Sequence, residues 1–315
     1  MFPLVQTAPV PRAPFAHPLP PTFPSTPAWA RAHCAATMSA LRDARPSTVW
    51  PPPCKLLPEQ SAAFERAGMP VRSHICYAQR YEGAQNMSWT AAFIDSLCAD
   101  IAAGAAHGSY GPRETLTLRE GLRSLPATIS GSIALVMGTE VPWVEALLLN
   151  EGARLVYTFE YSSIRAEHPR MKAPPYQTIA ADVLAGTFPP VDLIVSFSSL
   201  EHSGLGRYGD ALNPDGDRSA VAQAWCMLRP GGFLVLGVPM TCAFQGEIVF
   251  NAHRVYGFER LAYVAANFEL EGFVGGKCHN DNSQPILLLR KPRDISSPAP
   301  PLVAEDFYNH AFVAT

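Results

Sequence analysis

The segment SFSSLEHSGLGRYGDALNPDGD, running from Ser196 to Asp217, collects Glu201, His202, Arg207, Tyr208, Asp210, Asp215 and Asp217 directly after an apolar run. Polar density at the end of a buried strand marks a ligand site. His202 reads as a general base, because imidazole takes up a proton near neutral pH. Its alternative role is that of a loop brace. Glu201, Asp210 and His253 join it as catalytic candidates. The four could also gather around a divalent metal that acidifies an acceptor, although none is assigned as a ligand. A second polar cluster, NAHRVYG from Asn251 to Gly257, follows the next apolar run and should reach the same edge. From the two clusters, Arg207, Tyr208, Asn251 and Arg254 read as contacts to a substrate, with structural ion pairing and packing as the alternative. The string GLGRYG, Gly204 to Gly209, matches a dinucleotide-binding pattern only as text. It runs into NPDG turns and does not open a helix.

A second set of residues could hold a nucleotide-like cofactor. Glu160 ends the run LVYTF (Leu155 to Phe159), where an ionised carboxylate can accept hydrogen bonds from both hydroxyls of a ribose. Gly138 ends the run IALVM (Ile133 to Met137), and a residue without Cβ there would let a ligand approach the backbone. A plain strand-to-helix turn is the alternative, since VMGTEVPW offers one glycine. Asp182 stands beyond a short predicted strand, Gln177 to Ala180, where it could meet an adenine amino group or simply end a turn. Glu140, Tyr161 and Ser198 flank these strand ends and complete the expected cofactor set.

These positions need a parallel sheet to bring them together. After Gly131 strand and helix patterns alternate: Ile133–Met137, a helix over 142–150, Leu155–Phe159, Gln177–Ala180, Val191–Phe197, a helix capped by Asp217, and Phe233–Val238 after an RPGG turn. A helix over Phe258–Phe268 and two strands near 270–274 and 285–289 follow. This predicts an α/β fold: a Rossmann-like, doubly wound, mainly parallel sheet of about seven strands. A helix is predicted from Ser88, as its cap, to Gly104, burying Trp89, Phe93, Ile94, Leu97 and Ile101, and another over 116–125. Fourteen of the 31 prolines precede residue 59, so residues 1–58 read as a disordered leader that is dispensable for folding. The remaining bounds are an N-terminal helical extension (59–130), the Rossmann-like domain (131–292) and a C-terminal tail (293–315).

A net charge of -3 gives no broad cationic field, so nucleic acid is not expected as a partner. No apolar run approaches the length of a membrane span, and the first residues lack the pattern of a secretion signal. A cytoplasmic protein is expected, with organelle import through the leader as the alternative. The 7 cysteines are odd in number and widely spread, and read as reduced thiols. No oligomeric state is read.

The strings GTEVPWVEA, FEY, SFSSLEHSGLGRYGDALNPDGD, LRPGGFLVLGVP and NAHRVYG resemble a methyltransferase-like family first grouped from nematode proteins and known as a domain of unknown function. The resemblance spans residues 70–292 and implies the class I fold of S-adenosylmethionine-dependent methyltransferases. The expected function is therefore methyl transfer from S-adenosylmethionine, held by Gly138, Glu160 and Asp182, to a small polar, sugar-like or hydroxylated acceptor. The alternatives are a metal-dependent hydrolase or isomerase on the same sheet, and a degenerate Rossmann-like scaffold.

Overall fold

The computed structural model describes residues 27–45, 54–76, 87–105, 108–275, 284–295 and 302–312. Its helices are α1 (Pro27–Asp43), α2 (Pro58–Arg66), α3 (Ala91–Ala102), α4 (Pro112–Arg123), α5 (Trp143–Asn150), α6 (Tyr176–Ala185), α7 (Gly216–Met227), α8 (Phe258–Val264) and α9 (Ala304–Phe312). Its strands are β1 (Val71–His74), β2 (Met87–Trp89), β3 (Ile133–Met137), β4 (Leu155–Phe159), β5 (Ile164–Ala166), β6 (Met171–Lys172), β7 (Val191–Phe197), β8 (Leu228–Gly237), β9 (Glu247–Phe250), β10 (His253–Val255), β11 (Glu269–Val274) and β12 (Ile286–Arg290).

Seven strands form one sheet in the order β11-β12-β8-β7-β3-β4-β6. The ladder from β8 to β6 is parallel, and β12 and β11 close it antiparallel. The chain steps outward from β3 through β4 to β6 and then returns to place β7 on the other side of β3. The strand order therefore reverses at β3 and β7, and a doubly wound sheet opens its ligand crevice at the carboxyl ends of such strands. Alternation along each strand divides the core: Leu135, Ile194, Leu234 and Leu287 face α1, α6, α7, α8 and α9, while Ala134, Val136, Val195 and Val235 face α3, α4 and α5.

Several expectations change. Residues 27–43 are not part of a disordered leader but form α1, with Met38 and Leu41 buried. After Pro27 this stretch is free of proline and rich in alanine, so it is a good helix former inside a proline-rich region. The rest of the leader before 27 and over 46–53 lies outside the described residues. Gln177–Ala180 is not a strand but the first turn of α6, which buries Tyr176, Ile179 and Ala180 and ends at Gly186 in the left-handed conformation. The strand beside β4 is the two-residue β6. Ser88 lies in β2, and the cap of α3 is Thr90, whose hydroxyl accepts from the Phe93 amide. Phe93 is exposed. The helical extension also holds β1, paired with β9, and β2, paired with β5. The C-terminal tail contributes α9, which buries Ala304 and Phe307 in the main core.

The cysteines are not all reduced. Cys34 of α1 is bonded to Cys226 of α7, with their Cα atoms 5.4 Å apart, and Cys54 is bonded to Cys76. Cys242 is also disulfide-bonded. Cys98 is the free cysteine among the described residues. Spacing along the chain carried no sign of this, because the fold joins positions 192 residues apart.

Candidate functional site

A cavity of about 630 Å³ opens where β3, β4 and β7 end. Of the residues singled out in the sequence, Gly138, Glu140, Glu160, Tyr161, Ser198, His202, Arg207, Tyr208 and Asp210 line it.

Glu160 follows β4. Its Oε2 accepts the Thr139 amide at 2.9 Å and its Oε1 the Tyr161 amide at 2.6 Å. Burial raises its pKa, and the amides of Thr139, Tyr161 and Ser162 pull against that rise. One wall of the cavity thus carries a partly buried carboxylate tied to the turn after β3. Gly138 in that turn has φ 78°, and a Cβ there would run into the Ser199 hydroxyl. A close approach of the chain itself already requires glycine here. Tyr161 is 40% exposed at the rim, its ring edge-on to Tyr176 at 5.0 Å. Asp182 is on α6, where its side chain meets the Thr187 hydroxyl, and it does not line the cavity.

Beyond β7 the backbone turns sharply at Ser198, a non-glycine residue with φ 49°, a conformation that costs on the order of 1 kcal/mol and recurs at functional sites. Its amide donates to Gly237, and its carbonyl accepts the Tyr110 hydroxyl. Its own hydroxyl donates to Glu201 Oε1 at 2.9 Å and accepts from Gln284 Nε2 at 3.0 Å. The turn leads into a short 3₁₀ helix, Leu200–His202. Glu201 is fully buried behind Ser198, and burial pushes its pKa up to about 7 against the pull of Ser198, Arg207 and Arg254.

His202 differs from the near-neutral base expected. Its Nδ1 lies 2.5 Å from the Ala252 carbonyl; a carbonyl only accepts, so Nδ1 carries the hydrogen. Burial, then the Arg207 charge, lowers its pKa to about 3, so the ring stays neutral at physiological pH. Its neighbour Glu201 is the group of this loop that burial holds near neutrality. Asp210 is a loop brace: its carboxylate accepts the amides of Gly204 and Tyr208 and closes the glycine-rich turn. Arg207 lies over the Tyr208 ring at 5.2 Å, and one of its nitrogens donates to Ala252.

The second cluster supports the site from behind. Asn251 is buried with φ 60° and turns the chain so that Ala252 presents its carbonyl to His202 and Arg207. The His253 ring lies 6.5 Å from that of His202, outside the cavity lining. Arg254 is not a substrate contact. It is fully buried and donates to the carbonyls of Glu201, Ser203, Asn213 and Pro214. Asp217 is no helix cap but the anion of this network. It accepts two hydrogen bonds from Arg260, at 3.0 and 2.5 Å, and one from Tyr256, and lies 3.6 Å from Arg254. The two arginines hold its pKa down at about 2 in spite of burial. Among the described residues no three His, Cys, Asp or Glu side chains converge as a metal site requires. No local pattern singled out Tyr110, Gln284, Arg260 or the buried Glu145, whose partners Thr139 and Thr158 are supplied by the fold.

A family described as "Caenorhabditis protein of unknown function, DUF268" matches residues 131–289. No curated protein matches the chain. Similar solved structures include a candidate hemolysin from Lactococcus lactis (15% identity, 62% of this chain and 94% of that one, TM-score 0.41). Another is the Burkholderia thailandensis 1,6-didemethyltoxoflavin-N1-methyltransferase, solved with S-adenosylhomocysteine (15%, 64% and 86%, TM-score 0.40). A third is the N-methyltransferase NodS from Bradyrhizobium japonicum WM9 (18%, 57% and 86%, TM-score 0.37). With superposition scores below 0.5, none of these likenesses assigns a role to a residue.

Proposed function

Since the chain belongs to the family described as Caenorhabditis protein of unknown function, DUF268, a description that names no reaction, we propose its function from the site itself: an S-adenosylmethionine-dependent methyltransferase acting on a small, polar, hydroxylated acceptor. The observation that carries this reading is the partly buried Glu160 carboxylate, which follows β4 at the wall of a cavity of about 630 Å³ on the ligand-binding edge of the sheet. A cavity of that size lies within the range that holds a nucleotide-sized ligand.

The residues present fit that cofactor. Each Glu160 oxygen accepts a backbone amide and keeps lone-pair capacity for a hydroxyl of a ribose diol. The turn Gly138–Glu140 and the Tyr161 ring flank it, and Ser198 stands across the crevice. When bound, S-adenosylmethionine supplies an electrophilic methyl group. The chain's own part is to orient both reactants and exclude water. Ser203, Arg207 and Tyr208 also line the cavity and offer hydrogen bonds to an acceptor rich in hydroxyls. Asp182, outside the lining, takes no part.

Calorimetric titration with S-adenosylhomocysteine tests the reading. Saturable one-to-one binding to the wild type is expected, and Glu160→Gln should weaken it about ten- to a hundredfold, the equivalent of about 1.5–3 kcal/mol for one charged hydrogen-bond partner. Absence of binding by the folded wild type overturns the proposal.

A further inference from the structure

We infer that Ser198 and Glu201 form a proton relay opening on the cavity, in which Glu201 takes the proton that a nucleophilic hydroxyl or amine gives up when it is methylated. This rests on the methyltransferase reading for its reaction, but the relay is built from side chains whose contacts stand independently of it.

The direction of the relay follows from its hydrogen bonds. Ser198 accepts from the Gln284 amide and donates to Glu201 Oε1, so its one hydrogen points away from the cavity and a lone pair remains for a donor within it. Ser198 lines the cavity, while Glu201 lies fully buried beyond it. The second carboxyl oxygen, Glu201 Oε2, is buried with no hydrogen-bond partner among the described residues. A buried carboxylate oxygen left this way is costly, and a proton removes that cost. The left-handed backbone of Ser198 holds its hydroxyl between cavity and carboxyl, and such strain persists where the surroundings enforce it.

The step balances. The acceptor's oxygen or nitrogen forms a bond to the methyl carbon as the carbon–sulfur bond breaks, its electron pair going to sulfur. The acceptor's proton passes to Ser198 Oγ, and the proton of Ser198 passes to Glu201 Oε1. A carboxylate and a sulfonium cation become a carboxylic acid and a neutral thioether. The groups around Glu201 that bear charge or titrate are His202, with Nε2 3.6 Å away, Arg207 and Arg254, and Tyr110, Tyr208 and Tyr256. His202 stays neutral, so it neither competes for the proton nor fixes a positive charge beside the carboxyl. A carboxyl held near pH 7 has the affinity that an acceptor working at neutral pH needs.

The experiment has two arms. In the first, an infrared pH titration of the protein without ligand should show a protonated-carboxyl band with a midpoint near pH 7. Glu201→Gln should remove it, and Ser198→Ala should shift its frequency and raise its midpoint. Glu145→Gln is run in parallel, because Glu145 is also pushed up to about 7 by burial and contributes its own band. In the second arm, calorimetry in buffers of different ionisation enthalpy compares sinefungin, which carries an ammonium group in place of the methyl sulfonium, with neutral S-adenosylhomocysteine. Sinefungin should release up to about half a proton at pH 7, the share a group with that pKa still holds. The release should vanish in Glu201→Gln and persist in Glu145→Gln. A carboxyl band insensitive to both Glu201→Gln and Ser198→Ala, or equal proton release by Glu201→Gln, overturns the relay. Failure of the wild type to bind either nucleoside overturns the methyltransferase reading, and the first arm still decides the relay.

Discussion

Asp217 shows how much of the site depends on a single charge that never touches the cavity. Two arginines and a tyrosine converge on it, and Arg254 in turn gathers the carbonyls of the loop that carries Glu201 and Ser203. Taking away one partner of a buried ion pair costs about 3–5 kcal/mol, because the remaining charge stays buried. Asp217→Asn is therefore expected to lower the urea-unfolding free energy by about that amount at pH 7. A carboxyl whose folded pKa lies below its unfolded value adds stability that is present above the unfolded value and lost as pH falls through the folded one. With a folded pKa of about 2 against an ordinary 3.8, the gap between wild type and variant should narrow by about 2 kcal/mol as pH falls from about 4 to 2. A gap that does not change with pH would show that the ion pair is not the source. None of this was legible in the sequence. Asp217 looked like a helix cap and Arg254 like a substrate contact, since nothing in the local pattern reveals a partner about 40 positions away.

At the scale of elements, legibility followed burial. The largely apolar, buried stretches of β3, β4, β7 and β8 were predicted because few other elements suit such runs, although β8 begins at Leu228 and takes in the RPGG stretch read as a turn. Glu160 and Ser198 were legible for the same reason, as the residues that end two of these strands. The errors came where local pattern and context disagree. Tyr176, Ile179 and Ala180 form a helical face too short to be told from a strand, and α1 was hidden by the prolines around it. The structure reverses the expectation for α1. Its Met38 and Leu41 are buried with α6 and α7 in the main core, so a chain starting at residue 46 should melt several degrees lower than the full chain. Met38→Ala alone should cost about 2–5 kcal/mol in urea unfolding, the range for a large buried side chain cut to alanine. A melting temperature unaffected by removal of α1 would contradict its place in the core.

At the scale of the molecule the described residues form a seven-stranded sheet with a helical layer on each face, beside a three-stranded and a two-stranded sheet, and a disulfide joins α1 to α7. No helix among the described residues is long and apolar enough to cross a membrane. The oxidised cysteines are the feature that bears on where such a chain can mature, since bonds of this type persist in oxidising compartments and are rare in reducing ones. Closing a loop of this length is worth at most about 5 kcal/mol on a chain-entropy argument. Protein made in a reducing host is expected to melt measurably lower than protein made in an oxidising one, and Cys34→Ser should remove most of the difference. Equal melting temperatures would mean that the bond adds nothing to the fold. The same cross-link sets a timetable for biosynthesis. Cys34 leaves the ribosome 192 residues ahead of Cys226, a delay of about 10–40 s at ordinary elongation rates. For most of that interval α1 has neither α6 nor α7 to lie on, and until α7 follows, its thiol is open to any oxidant or disulfide-exchange enzyme it meets. α1 is thus seated long after it is made, and the yield of native protein is expected to follow the supply of thiol-exchange catalysts more closely than it follows the stability of the finished fold.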